Sequence, residues 1–543
     1  MLCISIITFI FNANGTPPVQ SGDGNWITFN RNLKGDRYSP LAEINRSNVG
    51  HLHRVGDFDT GIQTSFQTGP LAIDGTVYFT TYKHTFAIDG ATGHFVWKDA
   101  HDIKQTGLGS HRGLAYLSGR VFRGYSDGNV AAFDAKTGSQ AWMVKIADPE
   151  IGESIPLAPI AWKGMVFVGN AGGDNFGVTG RVYALDAATG SEVWHWNSVP
   201  TTGPAAKTWG RVSAQNPRAG GATWTTYSLD PDSGVIYIPT GNPAPDFAIS
   251  LRPGDNLYTN CLVALDANSG HLLGYVQPTK HDFHDWDASA APVIAHTKGG
   301  KDMAILGSKD GNLYGYDIAR LKSSNPPQRS GIGSPLLGLV GARAFRQIYK
   351  VPVTRRFNVD APLSEKKFTR FAPGTQGGVE WNGPSFSPMS NMVYTPAIDW
   401  AVSIKLAPEK KILQGKPGKA WSGADDNGFG KLDPVSKWGG YLTATDADTG
   451  AVKWKYRAKT PLVGGVTATA GGLVFSADLN GVIRAFDAQT GKILWSDNIG
   501  RPVGGGIISY QVDGHQYIAV AAGITSGIWP TPKKNAEIVI YRL

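Results

Sequence analysis

Two cysteines, Cys3 and Cys261, are all that this chain of 543 residues contains. Their scarcity excludes a disulfide framework, a CxxC zinc pair and a CxxCH haem-attachment motif. Charge is sparse as well: Asp, Glu, Lys and Arg make up 17% of the residues, and the formal excess of +8 is modest for this length. Nucleic-acid binding calls for a continuous basic face or a known module, and neither is present. No long run has helical apolar periodicity, and no strand–GxGxxG–helix unit offers a seat to a nicotinamide dinucleotide. Long apolar runs are missing too. LCISIITFIF (Leu2–Phe11), followed by the breaker-rich NANGTPPVQSGDGN, is too short to span a bilayer but fits the apolar part of a secretory signal, although no Lys or Arg precedes it. Residues 1–20 are therefore expected to be an export leader to the periplasm. Residues 21–543 are expected to form one domain with no membrane span.

What the chain has in quantity is glycine (69), proline (33), tryptophan (16) and tyrosine (19), a composition suited to short strands joined by tight turns. One spelling recurs: AIDGATGHFVW (Ala87–Trp97), AFDAKTGSQAW (Ala132–Trp142), ALDAATGSEVW (Ala184–Trp194), ATDADTGAVKW (Ala444–Trp454) and AFDAQTGKILW (Ala485–Trp495). ALDANSGHLLG (Ala264–Gly274) keeps the turn and loses the tryptophan. Each reads as a strand, a turn capped by Asp and Thr with Gly at the φ > 0 position, and a second strand. A repeated hairpin cannot bury both faces alone, so stacked copies must share a core. Asp89, Asp134 and Asp186 are 45 and 52 residues apart, and Asp446 and Asp487 are 41 apart, which are blade-sized periods. With units also placed at Asp266, Asp317 and Asp399, the expectation is an all-β, eight-bladed propeller of four-stranded antiparallel blades with tryptophan-docking repeats; seven blades is the alternative. The terminal QYIAVAAG and EIVIYRL are expected to pair with an N-terminal strand and close the ring, which removes exposed sheet edges.

Between Arg343 and Arg370 the cations Arg343, Arg346, Lys350, Arg355, Arg356, Lys366, Lys367 and Arg370 stand against only Asp360 and Glu365. This is either a solvated loop surface or a dock for an acidic partner. Four other segments do not look like blade upkeep. HDFHDWD (His281–Asp287) groups three carboxylates and two imidazoles in seven residues, a costly arrangement unless they hold a cation or move protons. If extended, it points Asp285 and Asp287 to one side. Zinc through His281 and His284 and a plain hydrogen-bonded loop are the alternatives. GNPAP (Gly241–Pro245) runs on to RPGDN (Arg252–Asn256). NAGGDNFGVTG (Asn170–Gly180) sets a carboxylate and amides among glycines, where oxygen ligands can approach a hard ion. GGATW (Gly220–Trp224) offers a tryptophan that is core or a stacking platform.

In order and spacing these four segments resemble the pyrroloquinoline-quinone (PQQ)-dependent alcohol dehydrogenases, the methanol-dehydrogenase-like quinoproteins. RYSPL (Arg37–Leu41), HRGLAY (His111–Tyr116) and GGVTATAGGLVF (Gly464–Phe475) extend the resemblance over the mature chain. It implies an eight-bladed propeller with the quinone near its axis beside a divalent or trivalent cation. By resemblance Trp224 is the floor on which the quinone stacks. Arg112 and Lys309 match residues contacting its oxygens, and Gln67 and Asp399 match cofactor-facing positions. Asn242 matches the amide ligand of the cation, and Asp285 the catalytic base, which also borders the metal. The loop that carries the metal's Glu in this family has one residue more here; Asp174 rather than Asn175 is assigned, because a hard cation needs charge compensation. Asp287 is an additional carboxylate resembling the lanthanide-using members, so calcium is expected first and a lanthanide is the alternative. The adjacent cysteine pair of many members is absent, with Thr106-Gly107 about there, and Val463 stands where some members carry Trp. The implied activity is oxidation of an alcohol, with electrons passed to a separate acceptor such as a cytochrome c. The rivals are a quinoprotein sugar or aldehyde dehydrogenase and a non-enzymatic scaffold propeller.

Overall fold

The computed structural model describes residues 24–103, 109–321 and 344–543. The expected leader, Thr106-Gly107 and Arg343 lie outside the described residues. The α-helices among those described are single turns, Gly203–Ala206 and Glu409–Ile412. Among the described residues no helix is long and apolar enough to cross a membrane. Strands dominate. Among the described residues seven sheets have four strands and another has five, its fifth being the short Tyr38–Ser39, which lies parallel to Val466–Thr469.

Each repeat supplies the third and fourth strands of a sheet. In the sheet of Leu71–Ile73, Thr76–Thr80, His84–Asp89 and Phe95–Ala100, the turn after Asp89 is held by its own carboxylate, which accepts from the Thr92 backbone N–H at 2.8 Å and hydroxyl at 2.7 Å. Asp134, Asp186, Asp446 and Asp487 repeat this with Thr137, Thr189, Thr449 and Thr490. The tryptophan that ends each repeat reaches the next sheet. Trp97 Nε1 donates to the Ala135 carbonyl at 2.9 Å, Trp142 to Ala187 at 3.1 Å, Trp194 to Ala267 at 3.1 Å and Trp454 to Ala488 at 3.1 Å. The turn glycine of the receiving repeat lies under that ring. A Cβ on Gly491, whose φ is +72°, would stand 2.7 Å from Trp454. Gly491→Ala combines left-handed strain with overpacking and is expected to cost about 2–4 kcal/mol, read as a lower Tm in calorimetry.

The ends of the chain share one sheet. His53–Asp59 pairs antiparallel with Glu537–Arg542, which continues through His515–Ala522 to Val503–Val512. Trp495 from the preceding repeat donates to the Leu52 carbonyl at the edge of this sheet. One unit inferred from the sequence does not exist as such. Asp399 ends the strand Met392–Asp399, which pairs along its whole length with Gly439–Asp446, so Asp399 and Asp446 belong to one sheet. An aspartate at a strand end imitates the repeat, but no Thr-Gly turn follows it.

Candidate active site

Three of the four segments, the glycine- and proline-rich ones, interlock through their backbones. Gly220 N–H donates to the Val178 carbonyl and Gly180 N–H to the Gly220 carbonyl, while Gly221 N–H donates to Asn242 and Gly241 N–H to Ala222. The approach leaves no room for side chains: a Cβ on Gly180 would lie 1.8 Å from the Gly221 carbonyl oxygen. This brings Asp174, Trp224 and Asn242 to one place from positions far apart in the chain.

The fourth segment, 281–287, is not an extended strand. Asp285 has a φ of 65°, in the left-handed region, which aspartate tolerates better than most residues. Asp282 organises the loop: its Oδ1 accepts from the His284 backbone at 3.1 Å and its Oδ2 from the Trp286 backbone at 2.8 Å. His284 Nδ1 faces Asp282 at 3.0 Å, Nε2 faces the Val359 carbonyl at 2.9 Å, and the ring stacks on Trp286 at 3.7 Å. With both nitrogens engaged, His284 is a brace and not half of a zinc pair. The RPGDN motif has a mechanical role. The buried Arg252 guanidinium donates to the carbonyls of Pro245, Asp246 and Asp282 and to Asn256 Oδ1 at 2.6–3.0 Å. It thereby clamps the segment carrying Asn242 to the segment carrying Asp285.

These elements surround a cavity of about 450 Å³. Of the residues expected at the site, Gln67, Arg112, Asp174, Trp224, Asn242, Asp285, Asp287 and Lys309 all line it. Asp399 does not: its buried carboxylate is held by Arg355 Nε at 2.9 Å and by Arg457. Val463 is core rather than cavity wall. Sequence reading missed Glu380 and Gln376 on the wall, and Trp381 and Trp529 beside them. The aromatic Trp381 next to an acid in GGVEWNG was the one available signal. Asn175 also borders the cavity, but its amide donates to the Gly152 carbonyl at 2.9 Å.

Trp224 presents its ring under two cations, with the Arg112 guanidinium 4.5 Å and the Lys309 ammonium 5.6 Å from its centroid. The Arg112 Nε–H and Gln67 Oε1 are buried without partners. Opposite them stand carboxylates. Lys309 Nζ lies 2.7 Å from Asp287 Oδ2 and 3.3 Å from Asp285 Oδ1, and the Asn242 backbone N–H donates to Asp287 Oδ1 at 2.6 Å. The Asn242 side chain stands beside Asp174 and favours its charged form. Burial and the neighbouring Asp287 push Asp174 up to about 6. Burial raises Asp285 well above the carboxylate range against the pull of Lys309, and Asp287 and Asp174 add to the rise. Asp246, beside this group, has a buried Oδ1 without a partner, and burial together with Asp174 and Asp285 raises it. Glu380 is raised to about 7, first by burial. For Lys309 burial is overcome by Asp285 and Asp287, which hold the ammonium well above its ordinary value.

Among the described residues, no three His, Cys, Asp or Glu side chains are arranged to hold an ion. The donor chemistry nevertheless fits a hard cation. Several buried carboxylates and an amide oxygen crowd together, and their mutual repulsion is what a multivalent ion relieves. An aromatic floor under two cations, with an orphaned donor and an orphaned acceptor, fits a flat polyanionic cofactor.

A family profile described as the glucose/ethanol/alcohol dehydrogenase PQQ β-propeller domain matches residues 26–319 and 347–518. Quinohemoprotein alcohol dehydrogenase ADH-IIG of Pseudomonas putida is 30% identical over 531 residues, spanning 92% of this chain and 72% of that one. Quinoprotein alcohol dehydrogenase PedH of Pseudomonas putida is 31% identical over 526 residues, 92% of this chain and 86% of that one. A solved structure described as a europium-containing methanol dehydrogenase superposes with a TM-score of 0.81 at 25% identity, covering 96% of this chain and 98% of that one. The repeated sheets, the cavity with its tryptophan floor and acid wall, and these likenesses agree: the chain belongs to the PQQ-dependent glucose, ethanol and alcohol dehydrogenase family of β-propeller oxidoreductases.

Proposed function

We propose that this protein oxidises an alcohol to the aldehyde or ketone in the cavity above Trp224, with Asp285 as the base. The observation that carries the reading is the meeting, in one cavity, of the Trp224 ring under Arg112 and Lys309 with the acid wall of Asp174, Asn242, Asp285 and Asp287. Eight blades, docked by the repeat tryptophans and closed by the terminal strands, form the ring that holds it. Bound PQQ would supply the electrophilic carbonyl that takes hydride from the carbinol carbon. Trp224 gives the cofactor its flat apolar floor. Arg112, through its unpartnered Nε–H, and Lys309 would bind its oxygens, and the unpartnered Gln67 Oε1 would accept from it. Asp174, Asn242, Asp285 and Asp287 would hold the cation, calcium in the first reading and a lanthanide in the second, with Asp287 as the carboxylate that favours the higher charge. With the cation and Lys309 opposing the rise that burial causes, the Asp285 carboxylate would be ionised and would take the hydroxyl proton.

The 543 residues carry no CxxCH motif, and we place the electron acceptor, such as a cytochrome c, outside them. With the expected leader, the site of action is the periplasm. The test is cofactor retention. Apoprotein incubated with PQQ and calcium is expected to keep the quinone absorbance through desalting, and Trp224→Ala to lose it about 5- to 150-fold more readily, in line with stacking worth about 1–3 kcal/mol per aromatic face. Equal retention by both proteins counts against Trp224 as the floor. Chelation by EDTA is expected to release the quinone, and Asp287→Ala to weaken retention more with a light lanthanide than with calcium. Loss of preference in neither direction would remove Asp287 from the metal site.

A further inference from the structure

The cavity has an aromatic way out. Trp529 on its wall lies 5.9 Å, centroid to centroid, from the buried Trp400, and Trp400 lies 5.2 Å from Trp438, which is only partly buried. Trp400 Nε1 donates to the Asp433 carbonyl at 2.7 Å, fixing that part of the array to the loop that ends at the surface.

Around the far end the surface is cationic. Arg370 grips Asp433 with Nε at 3.0 Å and Nη2 at 2.6 Å, and Lys437 and Arg355 add their fields to the same carboxylate. Arg355 and Arg370 flank Phe357 at 5.3 and 4.8 Å, and Arg355 and Arg457 share Asp399. Arg370, Lys437, Arg355 and Arg457 thus gather around Asp433 and Asp399, and all four residues are exposed. Two exposed apolar side chains, Phe368 at 48% and Val435 at 44%, stand in the same loops. Apolar contacts within a charged rim suit a partner that must dock quickly and leave quickly.

We propose that Trp529, Trp400 and Trp438 form the exit route for electrons, and that the Arg370–Lys437–Arg355–Arg457 surface docks an acidic c-type cytochrome there. This rests on the PQQ reading of the cavity given above. Electron tunnelling falls exponentially with distance and is less attenuated through packed aromatic rings than across gaps, so a partner seated over Trp438 is better coupled than one placed elsewhere on the rim. The balance is two ferric haems reduced for each alcohol oxidised, with the two alcohol hydrogens leaving as protons to water. The tryptophans conduct and are not themselves oxidised.

The test is stopped-flow reoxidation of holoenzyme that has been reduced with dithionite rather than alcohol, so that it does not depend on alcohol turnover. The acceptors are a c-type cytochrome of negative net charge, one of positive net charge and similar potential, and the small dye phenazine ethosulfate, which reaches the cavity directly. The Lys437→Glu/Arg370→Gln double variant is expected to slow the acidic cytochrome's second-order rate about tenfold at low salt, with the difference vanishing at high salt. The basic cytochrome is not slowed, and the dye loses no rate. Trp438→Leu is expected to lower the limiting rate at saturating acidic cytochrome and leave the dye unaffected. An unchanged acidic-cytochrome rate in both variants, or equal losses with the dye, overturns the proposal while leaving alcohol oxidation standing. Protein that retains no PQQ overturns the cavity reading and this one with it.

Discussion

Asp285→Asn is expected to reduce kcat about 10²–10⁴-fold while the protein still folds and still retains PQQ. The amide has the shape of the carboxylate and can accept from Lys309 Nζ, now 3.3 Å from Asp285 Oδ1. What it cannot do is take a proton. The surroundings make the exchange tolerable: the left-handed backbone at position 285 suits Asn as well as Asp, and Asp282 continues to hold the loop through the Trp286 and His284 backbones. The loss should fall on kcat rather than on KM, because the base acts on the hydroxyl proton in the transition state. Steady-state kinetics beside a desalting assay for bound quinone separate the two. Turnover within a few-fold of the wild type would remove Asp285 as the base.

Arg252→Met is expected to be among the most damaging substitutions outside the cavity. The guanidinium is buried and satisfies the carbonyls of Pro245, Asp246 and Asp282 together with Asn256 Oδ1. Methionine fills part of the volume but leaves these acceptors without donors, at about 1–3 kcal/mol for each group left unsatisfied. It also removes the positive charge that opposes the rise of Asp246. A loss of unfolding free energy of several kcal/mol is expected, read as a lower denaturant midpoint, and the surviving protein should bind cation and quinone weakly, because Asn242 and Asp285 are no longer held in register. Arg252→Lys should recover part of the stability and little of the register, since an ammonium cannot span the carbonyls in the guanidinium's planar fork. Unaltered metal affinity in either variant would contradict the clamp.

The repeats were legible because their chemistry is local. An Asp and a Thr close a turn on themselves, and the turn glycine accepts the preceding repeat's tryptophan. The same locality misled at Asp399, which ends a strand without such a turn and whose carboxylate belongs to Arg355 and Arg457. Most of the residues expected from motif resemblance line one cavity, the exception being Asp399. Glu380, Asp246 and Trp529 could not be read in advance. Their immediate sequence offers little beyond the aromatic next to Glu380 in GGVEWNG and the place of Asp246 after GNPAP, and the packing of separate sheets brings them to the site. The role of Arg252 was hidden for the same reason: RPGDN reads as a turn until the carbonyls it joins are seen together. Lys309 shows the opposite case, where a degenerate repeat, GSKDGN, carried both a blade and a cavity cation.

The central claim is that this cavity binds a quinone and a hard cation and oxidises alcohols with them. Dye-linked oxidation of a panel of primary and secondary alcohols by metal-stripped protein tests it most directly, with PQQ added together with calcium in one arm and with a light lanthanide in the other. The account predicts turnover that requires both PQQ and a metal, and that is lost in Asp285→Asn under the same conditions. Protein that remains inactive and retains no quinone in either arm would contradict it.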